Sequence, residues 1–160
     1  MKSLALLALI ASVPAHALDA ACEPYVKASE KTSAQPARHQ VMSLGADGLR
    51  SESIIKDGQM FMQINGKWVK GPPDFFKMEQ EQFADLKSGK IKLSDCKKLG
   101  RETVDGIATS VYSVHVEVTK MPVPGATAKF YIGDDGLIHA IAGEGYKTRV
   151  RYTNVVAPKL

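Results

Sequence analysis

Turn signals recur along this chain at short intervals and limit what it can fold into. Asp57-Gly58 and Asn65-Gly66 are residue pairs that tight two-residue hairpins prefer, because both positions need a positive φ. Asp105-Gly106 and the run Gly133-Asp134-Asp135-Gly136 punctuate the second half of the chain in the same way. Segments this short between turns predict antiparallel strands that follow one another as a meander.

Strands are predicted between these turns in two groups. The first group has four strands and the second about five, and one helical segment precedes each group. The predicted strands span residues 37–44, 48–56, 59–65, 67–70, 94–103, 107–119, 128–132, 137–143 and 145–156.

Two helices are predicted from capping residues and apolar spacing. The first spans residues 19–34, with Asp19 as its N-cap and Pro36 beyond its end. The second runs from its predicted cap, Asp74, to about Lys87 and carries two apolar stripes.

Alternation with period two separates the strand faces. Met60, Met62 and Ile64 share one face, as do Tyr112 and Val114 on a later strand. The last predicted strand alternates in the same manner and places together Tyr146, Val150, Tyr152 and Val156. A sheet with one apolar face needs a cover. The predicted fold class is therefore α+β, with one curved antiparallel sheet and both helices on one of its faces.

The first seventeen residues carry the signature of a secretory signal peptide. Lys2 supplies a positive charge, an apolar run follows, and Pro14-Ala15-His16-Ala17 ends in a small-x-small cleavage motif. The apolar run is too short to span a bilayer, which needs about 20 residues. We therefore expect a signal peptide over residues 1–17, a single domain over residues 18–160, and a periplasmic location.

Length and charge exclude some classes of partner. Cleavage after Ala17 leaves 143 of the 160 residues, which suits one domain. Of the 21 Lys and Arg residues, Lys2 is removed, so 20 basic residues face 17 acidic ones, a net charge of +3. Because the basic residues are scattered, nucleic acid is not a predicted partner. No integral membrane segment is predicted in the mature chain.

Both cysteines, Cys22 and Cys96, lie in the mature chain. An even number of cysteines in an oxidising compartment predicts a Cys22–Cys96 disulfide. Asp19 occupies the position three before Cys22 where a lipidation signal needs an apolar residue, so a lipid anchor is not expected. A CxxC redox motif is absent, which argues against an oxidoreductase.

Catalytic and metal-binding motifs are missing from the sequence. It contains no nucleophile elbow, zinc-binding helix motif, phosphate-binding loop or dinucleotide turn. His115 and Glu117 share a strand face and form the one conceivable acid–base pair, although a solvated strand face explains them better. The prediction is that the protein is not an enzyme and needs no cofactor or metal.

Methionine and aromatic residues cluster in and around the second helix. Methionine adapts to varied apolar partners, so this cluster suits either a plastic pocket or an ordinary core. The residues predicted to line a ligand site are Met60, Met62, Trp68, Phe76, Phe83, Tyr112, Val114 and Tyr152.

Several segments together resemble the LolA-like class, the periplasmic lipoprotein-carrier superfamily, over most of the mature chain. The segments that carry the resemblance are Gly58-Gln59-Met60-Phe61, Asn65-Gly66-Lys67-Trp68, residues 96–106, Lys129-Phe130-Tyr131-Ile132 and residues 152–158. The resemblance implies an unclosed barrel with helices across its concave face and a hollow that takes acyl chains. Carriers of this class use an arginine on an early strand; Arg38 and Arg50 lie in that region, and neither is assigned the role.

The sequence thus favours a monomeric, non-catalytic periplasmic protein that binds or carries a lipid or an acylated protein. The alternative is an envelope protein-interaction or sensor module that has a filled core. Such a module would bind through a surface such as the basic stripe Lys147, Arg149 and Arg151, which also suits a solvated strand face.

Overall fold

One antiparallel sheet organises the protein. A computed structural model describes residues 19–45, 48–118 and 125–160, and its sheet has nine strands within these ranges. The predicted signal peptide lies outside the described residues. The strands are β1 Ala37–Leu44, β2 Leu49–Lys56, β3 Gln59–Ile64, β4 Lys67–Lys70, β5 Ile91–Val104, β6 Ile107–Val118, β7 Ala126–Gly133, β8 Ile138–Gly143 and β9 Tyr146–Arg151.

The strand order is β4-β3-β2-β1-β9-β8-β7-β6-β5. Every neighbouring pair is consecutive in the chain except β1 and β9, whose antiparallel pairing joins the two meanders. In the described part of the chain β4 and β5 are the two edges and do not pair with each other, so the sheet is not closed. The predicted α+β fold, a curved half-barrel with two helices, is confirmed.

The predicted hairpins have the backbone that their residues favour. Asp57 and Gly58 have φ of 51° and 75°, and Asn65 and Gly66 have φ of 50° and 75°. Two successive positive φ angles belong to a type I′ turn, whose twist matches that of the strands it joins. These turns set the β2–β3 and β3–β4 registers.

The two helices lie on one face of the sheet. A short 3-10 turn, Ala20–Cys22, leads into α1, Glu23–Ser33, and α2 spans Phe75–Lys87. Asp19 caps the first turn, because its side chain accepts a hydrogen bond from the backbone N–H of Ala21 at 3.0 Å. Asp74 holds the N-cap position of α2, but its side chain makes no capping hydrogen bond to the described residues.

The main core fills the concave face beneath α1. The Cys22–Cys96 disulfide that the sequence predicts is present and lies in this core, so it links the start of α1 to β5. The ring of Tyr25 on α1 packs against Phe130 on β7 at 4.3 Å between centroids. The buried members are Cys22, Ala28, Cys96, Val114, Ala128, Phe130, Ile132 and Ile138.

The convex face carries two smaller hydrophobic clusters, and the chain reaches one of them by leaving the sheet earlier than predicted. The last strand was predicted to reach residue 156, but β9 ends at Arg151. Asn154 adopts a φ of 54°, which extended backbone does not allow. The chain therefore leaves the sheet, and Val155 packs against Ile54 and Phe61 on the convex side.

No helix in the described ranges has the length and apolar character that crossing a membrane requires.

A candidate ligand-binding hollow

A hollow of about 180 Å³ lies between the two helices and the concave face of the sheet. Its volume is close to that of an engineered apolar cavity of about 150 Å³ that takes up benzene. The lining surface is mainly apolar, and its apolar side chains include Phe83, Leu86, Val116, Phe130, Ile138 and Ile141.

Arg38 on β1 is the most unusual residue at this hollow, because it is charged and only 1% exposed. One of its terminal nitrogens, Nη1, donates to the backbone oxygen of Thr32 at the end of α1 at 3.0 Å. The other, Nη2, forms an ion pair with Glu79 Oε1 on α2. Its Nε has no hydrogen-bond partner among the described residues. Arg38 thus connects both helices to the sheet, and its Nε–H is free to donate one further hydrogen bond.

Glu79 lies between solvent and the hollow. Burial raises the pKa of its carboxyl group above the ordinary value, and the charge of Arg38 and its hydrogen bond oppose that rise. Because the net effect is a raised pKa, the Glu79 carboxylate loses more favourable interaction with water on folding than its contact with Arg38 replaces. This ion pair is therefore a contact that a competing anion or a proton can weaken.

A hydrogen-bond network fixes the end of α1 on the sheet. The hydroxyl of Tyr152 donates to the backbone oxygen of Ile138 at 2.6 Å and lies 3.2 Å from Thr32 Oγ1. Thr32 Oγ1 in turn accepts from the N–H of Ile138 at 3.0 Å. Burial raises the pKa of Tyr152 to about 12. Tyr152 was predicted to line a ligand site, and the structure gives it these contacts beneath α1.

In contrast to α1, α2 is weakly embedded. None of its 13 residues, all of them in the described part of the chain, is buried. Besides the Arg38–Glu79 pair, an ion pair of 3.1 Å between Lys87 Nζ and Glu30 Oε1 connects it to α1. Such an element is expected to open at a lower free energy than the strands below it.

Two further grooves adjoin the hollow along α2. A groove of about 470 Å³ between the helices shares Glu79 and Phe83 with the hollow. A second groove of about 680 Å³, which runs past the start of β5, shares Leu86 and Ile91 with it. Residues of α2 therefore form the common wall of three neighbouring spaces.

Two of the eight predicted lining residues border these three spaces, and the other six do not. Phe83 lines the hollow and Phe76 lines the groove between the helices. Met60 and Met62 are half-buried on the concave side of β3. On the same side, Tyr112 packs against the main core and Val114 is completely buried in it.

Trp68 lies on the opposite face from Met60 and Met62. The turn at Asn65-Gly66 pairs Trp68 with Gln63 and leaves Val69 opposite Met62. Directly paired residues share a face, so Trp68 points to the convex side, where it packs on the cluster that contains Phe61. The sequence placed it with the methionines because alternation was not followed through the turn.

Several residues of the hollow were not predicted. Phe130 and Ile141 follow the alternation of their strands and could have been found by applying it there. The resemblance pointed to the region of Arg38 and Arg50 without choosing between them, because nothing local distinguishes a buried arginine from an exposed one. The burial of Arg38 depends on α2, which is distant in sequence, and on α1, which a proline separates from β1.

The histidines do not form a metal site in the described ranges, where no group of three His, Cys, Asp or Glu side chains converges. His115 Nδ1 lies 2.9 Å from Thr127 Oγ1 on the next strand.

These features define the class of structure, an open antiparallel half-barrel with a helix-covered hollow. No protein-family model matches the sequence, and no curated protein matches it significantly. Among solved structures, the fold is similar to that of the Mycobacterium tuberculosis lipoprotein LppX, with a TM-score of 0.55 and 10% sequence identity. The alignment covers 88% of this chain and 97% of LppX.

LprF from Mycobacterium bovis aligns with a TM-score of 0.48 and 14% identity over 88% of this chain and 94% of its own. At such low identity the likeness to LppX establishes a shared fold. Membership of the LolA-like superfamily stays a prediction from the sequence.

Proposed function

We propose that this protein binds and carries a hydrophobic, acyl-bearing ligand, a lipid or an acylated protein, beneath α2 and without catalysis. The observation that carries the proposal is the position of α2, an unburied helix that forms the common wall of three adjoining spaces. A solid core would not leave three adjoining spaces around its least embedded helix.

Size determines how the ligand would enter. The hollow of about 180 Å³ is smaller than the ~300–1,000 Å³ of typical small-molecule sites. Outward movement of α2 would join the hollow to both grooves and create room for an alkyl chain. The contacts to be broken are the Arg38–Glu79 and Glu30–Lys87 ion pairs, and the second of these is mostly exposed and therefore weak.

The proposed place of action is the periplasm, and the protein is proposed to act there as a monomer. The Cys22–Cys96 disulfide supports an oxidising compartment. Passive carriage of an apolar ligand also needs no nucleotide, metal or other cofactor.

The alternative hypothesis from the sequence is an envelope protein-interaction or sensor module, and that hypothesis predicts a filled core. The open hollow beneath α2 favours the carrier instead.

Binding of a fluorescent fatty acid to delipidated protein tests this proposal. We expect saturable binding at one site and co-purified lipid in the native mass spectrum of protein isolated from the envelope. Val116→Phe places extra carbon atoms in the hollow and should weaken binding about tenfold, since each displaced methylene contact is worth ~0.8 kcal/mol.

Val41→Phe is the matched control, because Val41 lies opposite Arg149 on the convex face. Its affinity should equal that of the unmodified protein. No binding by the delipidated protein, or equal loss in both variants, would contradict the proposal.

A further inference from the structure

Four cations form a row across the convex face of seven strands. The cross-strand registers place in one line Lys97, Ser113, Lys129, Ala142, Lys147, Ser43 and Arg50, from β5 to β2. A cation thus occupies every second strand, at a spacing of about 9.5 Å, with a small residue between each pair. We call Lys97, Lys129, Lys147 and Arg50 the basic row.

The basic row is exposed and largely unneutralised. Lys97, Lys129 and Lys147 take part in none of the ion pairs within residues 19–45, 48–118 and 125–160. Arg50 contacts Glu52 at 2.9 Å through its Nε. Lysine stems are flexible, so these charges can follow an uneven anionic surface.

A group of exposed apolar side chains lies near one end of the basic row, on the concave face of the sheet. Leu44 and Leu49 face each other at the end of β1 and β2 and are 40% and 68% exposed. They are one residue, about 3.3 Å, beyond Ser43 and Arg50 of the row. Met42 and Ile64, also exposed, lie on the same concave face near this end. We call Met42, Leu44, Leu49 and Ile64 the apolar rim.

We propose that this end of the half-barrel docks on a membrane surface rich in anionic lipid. The apolar rim enters the interface while the basic row meets the headgroup phosphates on the outer side. Apolar and cationic residues at one boundary are the combination by which peripheral proteins bind anionic bilayers. This inference goes beyond carriage, because none of the eight residues lines the hollow.

An anionic membrane fits this surface better than an acidic protein. The charges are spread over seven strands instead of converging on one pocket. Each cation near an anionic bilayer contributes on the order of a fivefold gain in partitioning.

Co-sedimentation of the full mature chain with lipid vesicles tests the docking. Vesicles of phosphatidylcholine with phosphatidylglycerol should retain the protein, vesicles of phosphatidylcholine alone should not, and added salt should release it. The double variant Lys129→Gln/Lys147→Gln should partition roughly 25-fold more weakly. The control Lys31→Gln/Lys77→Gln removes equal charge from the helices and should partition as the unmodified protein does.

The apolar rim has its own test. Leu44→Ser/Leu49→Ser should weaken partitioning at low salt, whereas Val156→Ser, which removes an exposed apolar residue from the C-terminal segment, should not. All these variants should bind fluorescent fatty acid normally, which separates failure of docking from failure of carriage.

Three results would overturn the docking proposal. They are no retention by the anionic vesicles, equal retention of the lysine pair variant and its control, and capture by soluble polyglutamate without capture by vesicles. The last result would assign the basic row to an acidic protein.

Discussion

Arg38 on β1 and Glu79 on α2 form an ion pair beneath α2, where Arg38 is buried and Glu79 is partly exposed. This contact joins the deepest charge of the sheet to the least embedded helix of the protein. Loss of Glu79 alone should be destabilising, because the buried charge of Arg38 would be left without its partner.

Glu79→Ala should therefore destabilise the protein by about 3 kcal/mol, since Arg38 would remain buried without its partner. Urea unfolding measures the change. The double variant Arg38→Met/Glu79→Ala should recover part of the loss, because no buried charge then remains. A double variant less stable than Glu79→Ala alone would show that Arg38 acts mainly through Thr32.

Tyr152 should make stability fall at high pH. Its pKa rises from 10.0 to about 12 on folding, so between these values the unfolded state loses its proton while the folded state keeps it. The free energy of unfolding should thus decrease by about 2 kcal/mol over this range, a figure reduced for the partial exposure of the ring. Unfolding at a series of pH values measures the slope. Tyr152→Phe should flatten it, and an unchanged slope would assign the effect to other tyrosines.

Removal of the disulfide should cost about 4 kcal/mol. Its 74-residue span restricts the unfolded chain strongly. Cys22→Ser/Cys96→Ser and the reduced unmodified protein should unfold at similar urea concentrations, well below the oxidised protein. If the reduced protein matched the oxidised one, the link would contribute nothing to stability.

Trp68 should take no part in ligand binding. It is the one tryptophan of the chain and lies on the convex face, across the sheet from the hollow. Its emission should not shift when a non-fluorescent fatty acid binds, and Trp68→Phe should leave the affinity unchanged. Phe83→Ala removes a wall of the hollow and should weaken binding about tenfold or more. A shift in tryptophan emission on binding would place the ligand on the convex side.

Local chemistry predicted most elements within a few residues. β1 and β4 have the predicted bounds, and the type I′ turns at Asp57-Gly58 and Asn65-Gly66 are where the residue pairs indicated. β9 is shorter than predicted, because alternation continues through Tyr152 to Val156 although the chain turns away at Asn154. Turn residues determine the backbone only of their immediate neighbours. The hairpins could therefore be predicted from residue pairs, whereas alternation gave no sign that the chain turns away at Asn154.

Local sequence patterns were enough to predict the hairpins, the apolar face of most strands and the pairing of the two cysteines. The packing of distant segments was needed to establish that β1 pairs with β9, that Arg38 is buried beside two helices, and that four distant cations share one row. Hairpin register follows from a few adjacent backbone angles. Long-range pairing, burial and alignment across strands depend on how separate segments pack together, and no local pattern specifies that.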